Sequence, residues 1–140
     1  MSHTDPATVA QDILGRLEAA WNDADGPAFG SLYSAGASFV TVRGEHLVGG
    51  DAIGAGHGHI FRTIYAGSRN RMALIRAEEV ADGVVVAVSV NTLDCPTGPL
   101  AGRHQATSTS VITGDGDGGW RIVSTHNTMA AAGGKTGRDG

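Results

Sequence analysis

Six histidines stand in 140 residues, and three fall where an imidazole could act as acid or base near neutral pH. His57 shares a helical stripe with Ile53, Ile60 and Phe61, so it must face a core. There it is either a structural imidazole satisfied by a backbone carbonyl or a ligand-facing one. His126 ends the alternating segment Trp120-Arg-Ile-Val-Ser-Thr-His126-Asn-Thr128. As a strand, this segment puts Trp120, Ile122, Ser124, His126 and Thr128 on one face. A face running from Trp to His reads as a pocket wall, apolar at one end and titratable at the other. His104 opens a polar segment whose face carries Ala106, Ser108 and Ser110. Asp94 is a carboxylate base if its face lines a cavity, or a turn former before Cys95-Pro96. The catalytic candidates are therefore His57, His126 and Asp94. One neutral imidazole could take a proton α to a carbonyl while an imidazolium stabilises the enolate oxygen.

Other apparent motifs carry less. His3 and His46 belong to a terminus and a turn, and His57 and His59 are too close in sequence to ligate one ion from a regular helix. Gly54-Ala-Gly-His-Gly58 lacks dinucleotide-fingerprint spacing, and Asp115-Gly-Asp117 lacks the rest of a calcium loop, so it reads as a hairpin tip. There is no Gly-x-Ser-x-Gly, and the single Cys95 allows no intrachain disulfide. The expectation is chemistry with no metal, nicotinamide or flavin.

The elements that must position these residues follow from periodicity. Asp5-Pro6 opens a helix whose Val9, Ile13, Leu14, Leu17 and Trp21 recur at three- and four-residue spacing. A short helix over 27–33 follows, with Phe29 and Leu32 inward, then a strand over 38–42 and a brief return at Leu47-Val48. Asp51 reads as the cap of a third helix, which Gly54, Gly56 and Gly58 weaken, so that its first half is expected to be irregular. Four long strands are expected at about 69–80, 83–94, 101–113 and 119–128, with hairpins at Asp82-Gly83 and 114–119. Val84, Val86, Val88 and Val90 line one face of the second of these, and Val85, Ala87 and Leu93 the other, so both faces call for cover.

Helices followed by long antiparallel strands make an α+β fold with the helices on one face of the sheet. At 140 residues and 41% apolar content the chain is one domain with a sizeable core. Residues 1–5 and 130–140 are expected to flank a domain over 6–129 as flexible ends. A net charge of −4 gives no basic footprint for nucleic acid. No apolar run reaches the roughly 20 residues of a membrane span, and the polar start lacks the order of a signal peptide; the expectation is a cytoplasmic protein.

Residues 19–53 ("AAWNDADGPAFGSLYSAGASFVTVRGEHLVGGDAI"), 61–88 and 119–128 ("GWRIVSTHNT") resemble the nuclear-transport-factor-two-like superfamily, and within it the SgcJ/EcaC-type proteins found with polyketide and enediyne biosynthesis. The resemblance covers about residues 6 to 129. It implies a cone-shaped half-barrel, a curved mixed or antiparallel sheet wrapped around three N-terminal helices, as in ketosteroid isomerase and SnoaL-type cyclases. It also implies a homodimer and a small hydrophobic or polyketide-like ligand in a pocket between the third helix and the sheet. It does not imply one reaction: an accessory factor or cofactor-free acid/base enzyme, and a non-catalytic binding or assembly module, stay open. Trp21, Phe29, Tyr33, Phe39, Thr41, Ile53, Phe61, His104 and Trp120 are the expected pocket wall.

Overall fold

A computed structural model describes residues 5–114, 116 and 119–130. The chain runs α1 (Pro6–Asn22), α2 (Gly26–Gly30), β1 (Tyr33–Val40), β2 (His46–Val48), α3 (Gly50–Arg62), β3 (Arg69–Ala81), β4 (Val84–Cys95), β5 (Gly102–Gly114) and β6 (Trp120–Met129). His3 with the rest of residues 1–4, Asp115, Asp117 and Gly118 of the 114–119 connection, and the tail beyond Ala130 lie outside the described residues. Among those described, no helix is long and apolar enough to cross a membrane.

The strands form one curved, open sheet in the order β2-β1-β6-β5-β4-β3. Every pairing is antiparallel except β1 with β6, which is parallel, so the sheet is mixed. The first strand starts at Tyr33 rather than Ser38, because the short helix ends at Gly30 and the chain extends at once to meet β6.

The helices pack on the inner face. The Asp5 carboxylate accepts from the Thr8 amide at 3.2 Å and caps α1. The α1 stripe Val9, Ile13, Leu14, Leu17 and Trp21 is buried against β3 and β4. Glu18 and Asn22 serve the sheet edge. Glu18 Oε1 accepts from the Met72 amide at 2.8 Å. Asn22 accepts from the Asn70 amide at 2.7 Å and donates to the Asn70 carbonyl at 3.1 Å. Edge-strand backbone groups that would otherwise be unpaired are thereby satisfied.

The third helix is regular from Gly50 to Arg62, against the expectation of an irregular first half. Its glycines serve packing. A Cβ at Gly26 would lie 2.5 Å from the Gly54 carbonyl oxygen and 2.7 Å from Gly58 Cα, and one at Gly30 would lie 2.7 Å from Gly54 Cα. The backbones of α2 and α3 therefore touch, and their propensity cost is offset by that contact. The residue before the helix is Gly49, at φ 93°, not Asp51, which sits in the first turn.

One irregularity re-aims a whole face. Val111 pairs with Ser124 but Ile112 pairs with Ile122, so Val123 is an extra residue in β6. Such a bulge breaks alternation: Ile122 and Thr125 are both buried, while His126 is exposed. The face expected to carry Trp120, Ile122, Ser124, His126 and Thr128 therefore does not exist as one surface.

Candidate functional site

The inner face of the sheet can be read as rows across the register. Asn70, Leu93 and His104 form one; Met72, Asn91, Ala106 and Met129 the next; then Leu74, Ser89, Ser108 and Asn127; then Ala77, Ala87, Ser110, Thr125 and Phe39. Over these rows lie α1 and α3. Between helices and sheet is a cavity of about 260 Å³, walled by residues from most of these rows together with Leu14, Leu17, Trp21, Phe29, Tyr33, Thr41, His57, Ile60 and Tyr65.

His57 is a deeply buried titratable group on this wall. It is 5% exposed and caged by rings: Phe29 stacks on it at 4.1 Å, and Phe39 and Trp21 meet it edge-on at 4.9 and 6.0 Å. Its Nδ1 lies 2.8 Å from the Ile53 carbonyl oxygen. A carbonyl only accepts, so Nδ1 carries the hydrogen and Nε2 keeps the lone pair. Burial lowers its pKa from 6.5 to about 4, partly opposed by the Ile53 hydrogen bond. The imidazole is therefore neutral at physiological pH. Among the described residues its ring makes no second hydrogen bond.

The opposite wall is polar but uncharged. Ser89 Oγ donates to Asn91 Oδ1 at 2.9 Å, and Asn91 Nδ2 donates to Ser108 Oγ at 2.8 Å. Ser108 Oγ donates to Asn127 Oδ1, and Asn127 Nδ2 donates to the Val40 carbonyl at 2.8 Å. Beside this chain Ser110 and Thr125 share a hydrogen bond of 2.8 Å. Thr125 also bonds the Tyr33 side chain, whose phenol is pushed above its ordinary pKa by burial. His104 Nε2 lies 2.7 Å from the Leu100 carbonyl, so that ring also has a fixed tautomer. Asn70 Oδ1 is buried in the wall without a partner among the described residues. Tyr65, whose pKa burial raises, borders both this cavity and a smaller one of about 180 Å³.

The expected site residues divide. His57, His104, Trp21, Phe29, Tyr33, Phe39 and Thr41 line the cavity. Ile53 does not: it is fully buried, and its contribution is the carbonyl that holds His57. Phe61 is buried edge-on to Trp21 at 4.9 Å and borders the smaller cavity instead. Trp120 is half-buried and covers Gly114, away from the cavity. His126 projects from the outer face because of the bulge at Val123. Asp94 is also outside: it is exposed, and its carboxylate accepts from Arg103 Nε at 2.8 Å. That bond holds it below the usual carboxylate range, the reverse of a raised-pKa base. The expected pairing of His57 with His126 is thus corrected: the two imidazoles that line the cavity are His57 and His104.

Ser89, Asn91, Asn127 and Thr125 were not anticipated. Two of them had a visible signal: in β4 the buried face Val85-Ala87-Ser89-Asn91-Leu93 turns polar mid-strand, which a packed core has no reason to do.

The sequence profile of the SnoaL-like domain matches residues 11–132. A comparison with curated proteins finds no match. Among solved structures, a domain of unknown function with a cystatin-like fold from Nostoc punctiforme is 25% identical over 93% of this chain and 80% of its own, with a TM-score of 0.82. An uncharacterised protein with a cystatin-like fold from Caulobacter vibrioides is 25% identical over 91% of this chain and 92% of its own, with a TM-score of 0.81. A ketosteroid isomerase-like protein from Erwinia carotovora atroseptica is 13% identical over 92% and 99%, with a TM-score of 0.76, and shares the fold.

Proposed function

Because the chain belongs to the SnoaL-like domain family, we propose that its cavity binds a neutral, largely apolar small molecule bearing oxygen functions, and that His57 moves a proton on it. The observation that carries this reading is His57 itself: a neutral imidazole with its tautomer set by Ile53, on the wall of a cavity. The resemblance to SgcJ/EcaC-type proteins supports a polyketide-type ligand, and the aromatic wall suits one.

Nε2 would take a proton from a carbon next to a carbonyl. The C–H electron pair becomes a C=C bond as the carbonyl π pair moves to oxygen, giving an enolate. Return of the proton to the same carbon restores the ketone; in a β,γ-unsaturated ligand its return to the γ carbon of the dienolate shifts the double bond. An imidazolium with a pKa near 4 is a strong acid at rest, so the base is weak until the transition state. Negative charge growing beside the ring then raises its basicity. The oligomer proposed is a homodimer through the outer sheet face, in the cytoplasm.

The same desolvation also favours a second reading, binding without chemistry, in which Nε2 only accepts a hydrogen bond. Exchange of the α-protons of 2-tetralone in D₂O, followed by NMR, separates the two. Proton transfer by His57 requires faster exchange with the wild-type protein and a loss of roughly 100-fold or more in His57→Gln. If wild type and variant bind the ketone equally and exchange it at the buffer rate, binding alone is left.

A further inference from the structure

We propose that Asn91 and Asn127 form a paired amide donor site that recognises a carbonyl oxygen of the ligand; this rests on the reading of the cavity as a small-molecule site. One atom outside the pair fixes its orientation. The Val40 carbonyl can only accept, so the Asn127 atom 2.8 Å from it must be Nδ2. That turns Asn127 Oδ1 toward Ser108, whose hydroxyl must then donate. Having donated its only hydrogen, Ser108 Oγ must accept from Asn91, so the Asn91 atom 2.8 Å from it is Nδ2. Asn91 Oδ1 in turn takes the Ser89 hydroxyl hydrogen. One backbone carbonyl thus dictates the direction of a hydrogen-bond chain across β4, β5, β6 and β1.

Counting hydrogens along this chain leaves two unspent, and both are amide N–H groups. Each amide has two N–H groups and uses one. Each carbonyl oxygen of the pair already accepts. The second N–H of Asn91 and of Asn127 has no partner among the described residues, and both residues line the cavity. A packed apolar core would leave such donors at a cost. A ligand acceptor oxygen would satisfy them. The direction of the chain favours this: each amide donates while its own oxygen is engaged, and hydrogen bonds in sequence polarise one another. No carboxylate belongs to the chain, so nothing in it competes for the donors. Opposite, His57 Nε2 is an acceptor. The cavity therefore offers donors on the sheet and a lone pair on α3, the arrangement that an enolisable ketone can use from both sides.

The test uses 2-acetylnaphthalene and its planar isostere without an acceptor, 2-isopropenylnaphthalene. Their dissociation constants are measured against wild type, Asn91→Leu and Asn127→Leu, and the carbonyl stretch of the bound ketone is read by infrared difference spectroscopy. The expected result is a ketone-to-alkene affinity ratio about tenfold higher in wild type than in either variant, with alkene affinity little changed. The carbonyl stretch should fall below its value in hexane when bound to wild type. Because that shift needs no variant, it stands even if Asn127→Leu, which also strips the Val40 carbonyl, does not fold. An unshifted stretch with a ratio unchanged in the variants overturns the donor site while leaving the cavity reading intact. If wild type binds neither compound, the cavity reading falls and the donor site with it.

Discussion

The Nδ1 atom of His57 lies 2.8 Å from the carbonyl oxygen of Ile53, one turn earlier in the same helix. This bond sets the tautomer, while burial in an aromatic cage, which the bond partly opposes, keeps the ring neutral. It has a consequence for stability that does not depend on what the protein does. Burial lowers the His57 pKa from 6.5 to about 4. The unfolded chain therefore binds a proton at His57 before the folded chain does. Stability from this site is complete above pH 6.5, falls as pH drops from 6.5 to about 4, and is flat below. The full loss is about 3 kcal/mol at most. Urea midpoints of wild type and His57→Gln across pH 4 to 8 should converge on acidification, because only wild type carries this loss. Parallel curves would show that His57 titrates normally.

The glycine contact between α2 and α3 predicts opposite outcomes for two Gly→Ala changes. Gly15 has nothing within 4 Å of an added Cβ and is exposed in mid-helix, so Gly15→Ala should stabilise by roughly 0.5–1 kcal/mol. At Gly30 the Cβ would run into the Gly50 carbonyl and lie 2.7 Å from Gly54 Cα, both backbone that cannot step aside. Gly30→Ala should destabilise by about 2 kcal/mol or more despite the same gain in propensity. Thermal melts of the two single variants should move in opposite directions; movement in the same direction would refute the contact.

Those glycines also mark where sequence reading ends. The α1 stripe and the four long strands were legible because hydrophobic period and turn residues are local, and strand limits agreed within about two residues. The α3 glycines look like weakness until Gly26 and Gly30 are known to lie against them, which is a tertiary fact. His126 was misplaced for a similar reason: one extra residue at Val123 reverses the face beyond it, and nothing in Ile-Val-Ser-Thr announces a bulge. Asp94 fell on the Val86-Val88-Val90 face, and which of two apolar faces meets the helices is not a local property. Asn127 was hidden by the same reversal. Ser89 and Asn91 are legible as polar residues that interrupt a buried face.

Asn22 supplies a test of how the sheet edge is kept. Its side chain pairs with both the amide and the carbonyl of Asn70, at 2.7 and 3.1 Å. Asn22→Ala strands two part-buried backbone groups, at a cost of about 1–3 kcal/mol. Hydrogen exchange at the Asn70 amide should accelerate, while central-strand amides such as Val88 keep their protection relative to global unfolding. Unchanged exchange at Asn70 would mean that water replaces the clasp without loss.

The outer sheet face yields the last expectation. Val84, Val86, Val88 and Val90 are half-buried there, on a strand flanked on both sides by neighbours. In the register Val88 lies between Arg76 and Thr109, and Val86 between Glu78 and Val111. At the β3 edge Ile75 stands 61% exposed, where a bulge turns it out of the pairing. A strand needs valine on one face to pack on helices. Four more on its other face have no such purpose unless that face is covered too. A second copy of the chain would cover it, with the symmetric contact usual for dimers. Sedimentation velocity at tens of micromolar should give a dimer for wild type. Val90→Glu, set between Ala73 and Thr107, should give a monomer that stays folded by circular dichroism, since a carboxylate there has no cationic cross-strand partner in a dry interface. A monomeric wild type would remove the dimer and leave the valines unexplained.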